Sequence, residues 1–163
     1  MSHRKISRNA YHLLKILKGW RSHAWHPLCS YATIMKNMAK KILIADSNDT
    51  FRVSLRTFLQ GLGYEVFEAA TGHEALDKAS SMRPDLIMTE VQLPGLNGDK
   101  VTAQLKRNSS TRNIPVILNT GWTTACNVEE KIDRALNAGA DEILYRPLQF
   151  PMLRNVLRSY LFA

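Results

Sequence analysis

The sequence predicts an α/β protein built on a doubly wound, five-stranded parallel sheet, and three observations carry that prediction. Short runs that are apolar throughout, at 42–45, 86–88 and 116–118, suit strands buried on both faces. Between them lie longer segments whose apolar residues return at helical spacing. Strand-like and helix-like segments alternate five times without a break, which implies a parallel sheet with crossover helices on both faces.

Each element has a local justification. After the first strand, Phe51, Leu55, Phe58, Leu59 and Leu62 recur on one helical face, and Gly61 and Gly63 close that helix. Val66 and Phe67 mark a short second strand. Thr71-Gly72-His73-Glu74 reads as a capping box, in which the threonine hydroxyl and the glutamate each satisfy an orphan amide. Ala75, Leu76, Ala79 and Met82 form the apolar face behind it, and Pro84 forbids continuation. The third strand, 86–88, runs into the turn Leu93-Pro94-Gly95, then a short helix through Val101 and Leu105. After the fourth strand, Asn127 caps a helix whose Val128, Ile132, Ala135 and Leu136 share a face and which Gly139 ends. Residues 143–145 form the fifth strand. Pro151 opens a last helix with Leu153, Val156, Leu157 and Tyr160 turned inward.

Composition narrows the function classes. The chain has 163 residues, 45% of them apolar and 22% charged, which is the balance of one globular domain. No apolar run approaches the roughly 18 residues a membrane span needs, so no membrane role is expected. Two cysteines, Cys29 and Cys126, leave no disulfide scaffold and point to a reducing compartment, read here as the cytoplasm. The net charge of +8 is concentrated: residues 1–37 hold seven Lys or Arg and no acid, while the other 126 hold 15 basic against 14 acidic residues. Residues 1–38 are therefore read as a basic N-terminal extension, disordered or not native to the fold. A transit peptide, a membrane-surface helix or a nucleic-acid arm would share its composition. Nucleic acid is the weaker partner class, because the basic charge lies outside the folded body.

The strand ends hold the polar residues of interest. Asp46 and Ser47 follow the first strand, Glu90 the third, Thr120 the fourth and Arg146 the fifth. In an open parallel sheet these positions gather in one crevice beyond the carboxyl ends of the strands. A buried charge there needs a partner, since a lone buried ion is strongly penalised.

Residues 39–161 resemble the receiver domain of bacterial two-component response regulators. The matching stretches are Lys-Ile-Leu-Ile-Ala-Asp at 41–46, Pro-Asp-Leu-Ile at 84–87, Leu-Pro-Gly-Leu-Asn-Gly at 93–98, Ile-Pro-Val-Ile at 114–117, and Gly-Ala-Asp-Glu with Arg-Pro within 139–147. The resemblance implies a flavodoxin-like sheet of order 2-1-3-4-5 and a role in phosphorelay signal transduction rather than as an enzyme. It also implies partners among histidine kinases, phosphotransfer proteins and effectors. In the family, an aspartate accepts a phosphoryl group with the help of Mg²⁺.

Several departures from that pattern bear on function. Glu90 stands where the family has its phosphoacceptor aspartate. Ser47 follows Asp46 where the family has a second acid, which is a direct metal ligand. Thr120 matches the switch hydroxyl, Arg146 the phosphate-contacting lysine, and Ile143 the usual aromatic switch position. The family pocket, with three carboxylates and one lysine, sums to −2, whereas Asp46, Glu90 and Arg146 sum to −1. Mg²⁺ at Asp46 and Glu90 is therefore expected to be weakened. Arg146 offers a planar fork that cannot deprotonate, and Glu90 reaches one methylene further than Asp, toward Arg146 and Thr120. The sequence thus predicts a fixed Glu90–Arg146 ion pair and an atypical, degenerate receiver acting as a protein-binding module. The alternatives are a receiver that still takes up phosphate with Mg²⁺, or a nucleic-acid-binding protein using its basic arm. Partner contacts are expected on the last helix, the fifth strand and the helix at 127–138, where Arg154 and Arg158 mark either a basic strip or a solvated face.

Remaining candidates read as ordinary. Cys126 has no nearby cation to lower its pKa. His73, in the first turn of a helix, reads as a solvated surface residue, and the pair Glu129 and Glu130 suits the helix dipole at a first turn. His23, His26 and Cys29 lack regular ligand spacing.

Overall fold

The computed structural model describes residues 39–121 and 128–162. These belong to the unit Lys36–Ala163; the other unit is Met1–Met35. The readings placed on residues 1–38, on Cys126 and Asn127, and on the side chains of Val128, Glu129 and Ile132 lie outside the described residues.

Five strands form one sheet: β1 (Lys41–Ala45), β2 (Glu65–Ala69), β3 (Leu86–Glu90), β4 (Val116–Thr120) and β5 (Glu142–Tyr145). The order is β2-β1-β3-β4-β5, with every neighbouring pair parallel. Five helices alternate with them: α1 (Asp49–Gly61), α2 (Gly72–Met82), α3 (Gly98–Arg107), α4 (Val128–Asn137) and α5 (Phe150–Leu161). The predicted class, strand number and order are all observed.

Side-chain alternation along the strands divides the core in two. Ile42, Ile44, Leu86, Met88, Ile117 and Leu144 pack against Leu55 and Leu59 of α1 and Leu153, Leu157 and Leu161 of α5. On the opposite face, Leu43, Ala45, Ile87 and Val116 meet Ala75 and Ala79 of α2 and Val101 and Leu105 of α3. Leu118, on that same side, packs with Val91 and Ala135.

Local signals explain the helix ends. The Asn48 side chain accepts the Phe51 N–H (3.0 Å) and starts α1. Thr71 Oγ1 accepts the Glu74 N–H at 3.2 Å, while Glu74 Oε2 reaches back to the Ala70 N–H at 2.8 Å. Three residues placed on inward faces prove exposed. Leu62 is the C-cap of α1 and Met82 the last residue of α2, and Leu136 lies about 100° round α4 from buried Ala135.

Helix α2 stops at Arg83, whose φ of 47° places an L-residue in the left-handed region that glycine adopts freely. Arg83→Gly is expected to raise stability by about 0.5–1 kcal/mol, the relief of left-handed strain outweighing the added unfolded-state entropy. Thermal melts against Arg83→Ala, which keeps the strain, check this: only the glycine variant should melt higher.

Candidate functional site

The stripe of inward residues on the α1/α5 face ends in a polar side chain on four strands. Two residues beyond Ile44 comes Asp46, beyond Met88 comes Glu90, beyond Ile117 comes Asn119, and beyond Leu144 comes Arg146. A strand's period of two thus brings all four to one side of the sheet, at its carboxyl end. Glu90 and Asn119 are direct neighbours across β3 and β4.

Asp46 is fully buried. Its Oδ1 accepts the Asn48 N–H at 2.9 Å, and its Oδ2 accepts from Arg146 Nη2. Burial pushes the Asp46 carboxyl above its ordinary pKa, and the charge of Glu90 acts the same way. The Asn48 N–H and the Arg146 guanidinium oppose this without cancelling it.

Arg146 crosses the pocket from the end of β5. Its Nε donates to Asn119 Oδ1 at 3.1 Å, its Nη2 donates to that oxygen as well as to Asp46, and its Cζ lies 3.9 Å from the centroid of the Phe51 ring. The peptide joining it to Pro147 is cis. Glu90 Oε2 accepts from Ser47 Oγ at 3.0 Å and from the Ser47 N–H at 3.4 Å.

The anticipated Glu90–Arg146 pair is present only as a looser contact, with Nη1 3.6 Å from Oε1. The bonded pair is Arg146–Asp46. Asp46 is wholly cut off from water and has the greater need of a counter-charge, whereas Glu90 sits at the rim, where serine and solvent serve it. Glu90 does not reach Thr120 either. The Thr120 hydroxyl donates to the Gly121 carbonyl at 3.3 Å. Asp46, Ser47, Glu90 and Arg146 are therefore joined by polar contacts in which the Thr120 hydroxyl takes no part.

Sequence reasoning missed Asn119 and Phe51. The signal for the first was available: an amide directly after three apolar residues, in a strand otherwise read as buried on both faces. Phe51 was counted as a core residue, and it does pack partly against the core.

As arranged, these donors do not fit a divalent cation. Three of the four carboxylate oxygens of Asp46 and Glu90 accept hydrogen bonds from protein groups, and the fourth faces the guanidinium. Ser47 contributes a neutral hydroxyl. No group of three or more His, Cys, Asp or Glu side chains able to hold a metal ion occurs among the described residues. Nor does any described helix have the length and apolarity to cross a membrane.

A 2-1-3-4-5 parallel sheet with acids at the ends of β1 and β3 and a cation after β5 defines a two-component receiver. The chain belongs to the response regulator receiver domain family, whose pattern matches residues 42–158. Among its relatives is the polar-differentiation response regulator DivK of Brucella anthropi, 33% identical over 124 residues that cover 76% of this chain and 98% of that protein. Among solved structures it resembles the receiver domain of a signal transduction histidine kinase from Syntrophus aciditrophicus. That match has 31% identity and a TM-score of 0.69, covering 76% of this chain and 90% of the other. It also resembles the receiver domain of a sensor histidine kinase from Pseudomonas aeruginosa PAO1, at 26% identity and a TM-score of 0.68, covering 77% and 99% of the two chains. The latter holds a magnesium ion in its active-site cleft.

Proposed function

We infer that this receiver serves two-component signalling as a protein-binding module held in one state, with Glu90 in place of the phosphoacceptor aspartate. The observation that carries this reading is the guanidinium of Arg146 seated on Asp46. A cation fixed in the protein neutralises the buried carboxylate that a receiver otherwise shares with Mg²⁺. With Ser47 in the adjacent position and Glu90 already bonded to it, the pocket reaches charge balance by internal pairing, and Mg²⁺ binding is weakened accordingly.

A kinase, phosphotransfer protein or effector in the cytoplasm would then read a fixed surface. The β5 and α5 side supports such docking. Leu136, Tyr145 and Met152 are exposed there, Arg154 and Arg158 lie on the outer side of α5, and a hollow of about 300 Å³ opens between β5 and the start of α5.

Incubation with acetyl phosphate and Mg²⁺, followed by intact-mass measurement, tests the reading. The expected result is an unchanged mass. A stable gain of one phosphoryl group that disappears in Glu90→Gln contradicts it and establishes a working phosphoacceptor.

A further inference from the structure

We propose that Asn119 and Phe51 are positioning residues that hold the Arg146 guanidinium on Asp46, Asn119 by accepting its N–H groups and Phe51 by covering its face. This deepens the proposed function, because it rests on Arg146 standing in the metal's place.

Asn119 is fully buried on β4, two residues beyond Ile117 in an apolar stripe. Its Nδ2 is a buried donor with no partner among the described residues, an arrangement that proteins generally avoid. A valine would continue the stripe and remove that unpaired donor, but would take away the acceptor of the Arg146 N–H groups. What the amide supplies is its oxygen, which accepts both Nε and Nη2 of Arg146. Two N–H groups of the planar fork on one acceptor fix the plane of the guanidinium, which a single bond would leave free to swing.

Phe51 fixes the remaining freedom. It lies in the first turn of α1, where the Asn48 cap holds its backbone N–H, and its ring stacks beneath the guanidinium carbon. A cation over a ring face is attracted by the ring's quadrupole and loses water on that side. The Arg146 side chain is accordingly only 20% exposed. One edge of the guanidinium therefore meets Asn119 and Asp46, the Nη1 corner faces Glu90, and the face lies on Phe51. A lysine ammonium has no plane for this arrangement to hold.

The test compares the full chain with its Asn119→Val, Phe51→Leu, Phe51→Tyr and Arg146→Ala variants. Three quantities are measured: melting temperature, hydrogen exchange of the Arg146 Nε–H by NMR (assigned by its loss in Arg146→Lys), and the response to Mg²⁺ alone. Asn119→Val is expected to melt close to the unaltered protein, the removal of the unpaired Nδ2 offsetting the lost acceptor, yet to exchange the Nε–H about tenfold faster, as follows when a hydrogen bond to a charged group is lost. It should also gain a Mg²⁺ response. Phe51→Leu should speed exchange too, and Phe51→Tyr should restore it. A lower melting temperature in Asn119→Val with exchange and Mg²⁺ response unchanged overturns the proposal, since a purely structural residue behaves that way. If Arg146→Ala gains Mg²⁺ binding while Asn119→Val does not, positioning by Asn119 fails and the reading of Arg146 stands. If Arg146→Ala gains none, that reading fails, and the exchange rates still decide the positioning.

Discussion

Gly98→Ala is expected to remove on the order of 3 kcal/mol of stability, a large part of what a domain of this size possesses. Gly98 opens α3 directly beneath the site: a Cβ there would lie 2.1 Å from the backbone oxygen of Glu90 and 3.1 Å from a Leu118 methyl. The obstacle is backbone, so no rotamer change can relieve it. Moving α3 away would break the bond from the Gly98 N–H to the Val91 carbonyl (2.9 Å) and that from the buried Thr102 hydroxyl to the Gly98 carbonyl (2.7 Å). Gly72→Ala should behave alike, with a Cβ 2.0 Å from the Leu96 carbonyl oxygen. Gly61, with nothing within 4 Å, supplies the control, and alanine there should be neutral or slightly favourable. Urea titrations of the three variants decide the matter. A Gly98→Ala midpoint equal to that of Gly61→Ala would mean that α3 does not pack against the Glu90 backbone as described.

Restoring the family's pocket chemistry should produce the largest functional change. The triple variant Ser47→Asp, Glu90→Asp, Arg146→Lys takes the pocket from −1 to −2. It also exchanges a bidentate fork for a flexible point charge that the Asn119 oxygen and Phe51 ring hold poorly. Mg²⁺ affinity is expected to rise by at least about tenfold, or roughly 1.4 kcal/mol, because a third carboxylate joins an oxygen-rich site. Acetyl phosphate should then add one phosphoryl group to residue 90, visible by mass. Calorimetry with Mg²⁺ measures the first effect. No gain in either quantity would show that the departures at 47, 90 and 146 are not what sets the pocket's behaviour.

The fold was legible because its signals are local and repeated. Runs such as Ile42–Ala45 cannot be half-buried strands, the capping box at Thr71 fixes where α2 begins, and Pro84 fixes where it cannot continue. The site was legible as a set of strand ends, since topology alone gathers Asp46, Glu90 and Arg146. Its internal pairing was not. Which of two carboxylates captures a guanidinium depends on their relative burial at the sheet rim, which spacing does not encode. Neither does spacing reveal that the Phe51 ring, while packed partly against the core, also lies under Arg146. The Thr120 hydroxyl bonds to the Gly121 carbonyl rather than to Glu90, a local choice at the strand end that spacing does not encode.

On the proposed function, the Arg146 guanidinium seated on Asp46 does the neutralising that a divalent ion does in a magnesium-binding receiver. A crystal structure determined in the presence of saturating magnesium chloride tests it most directly. The predicted electron density shows Arg146 bonded to Asp46 and Asn119, its face on Phe51, with no ion between the two acids. Octahedral density bridging Asp46 and Glu90, with the arginine displaced toward solvent, would contradict it.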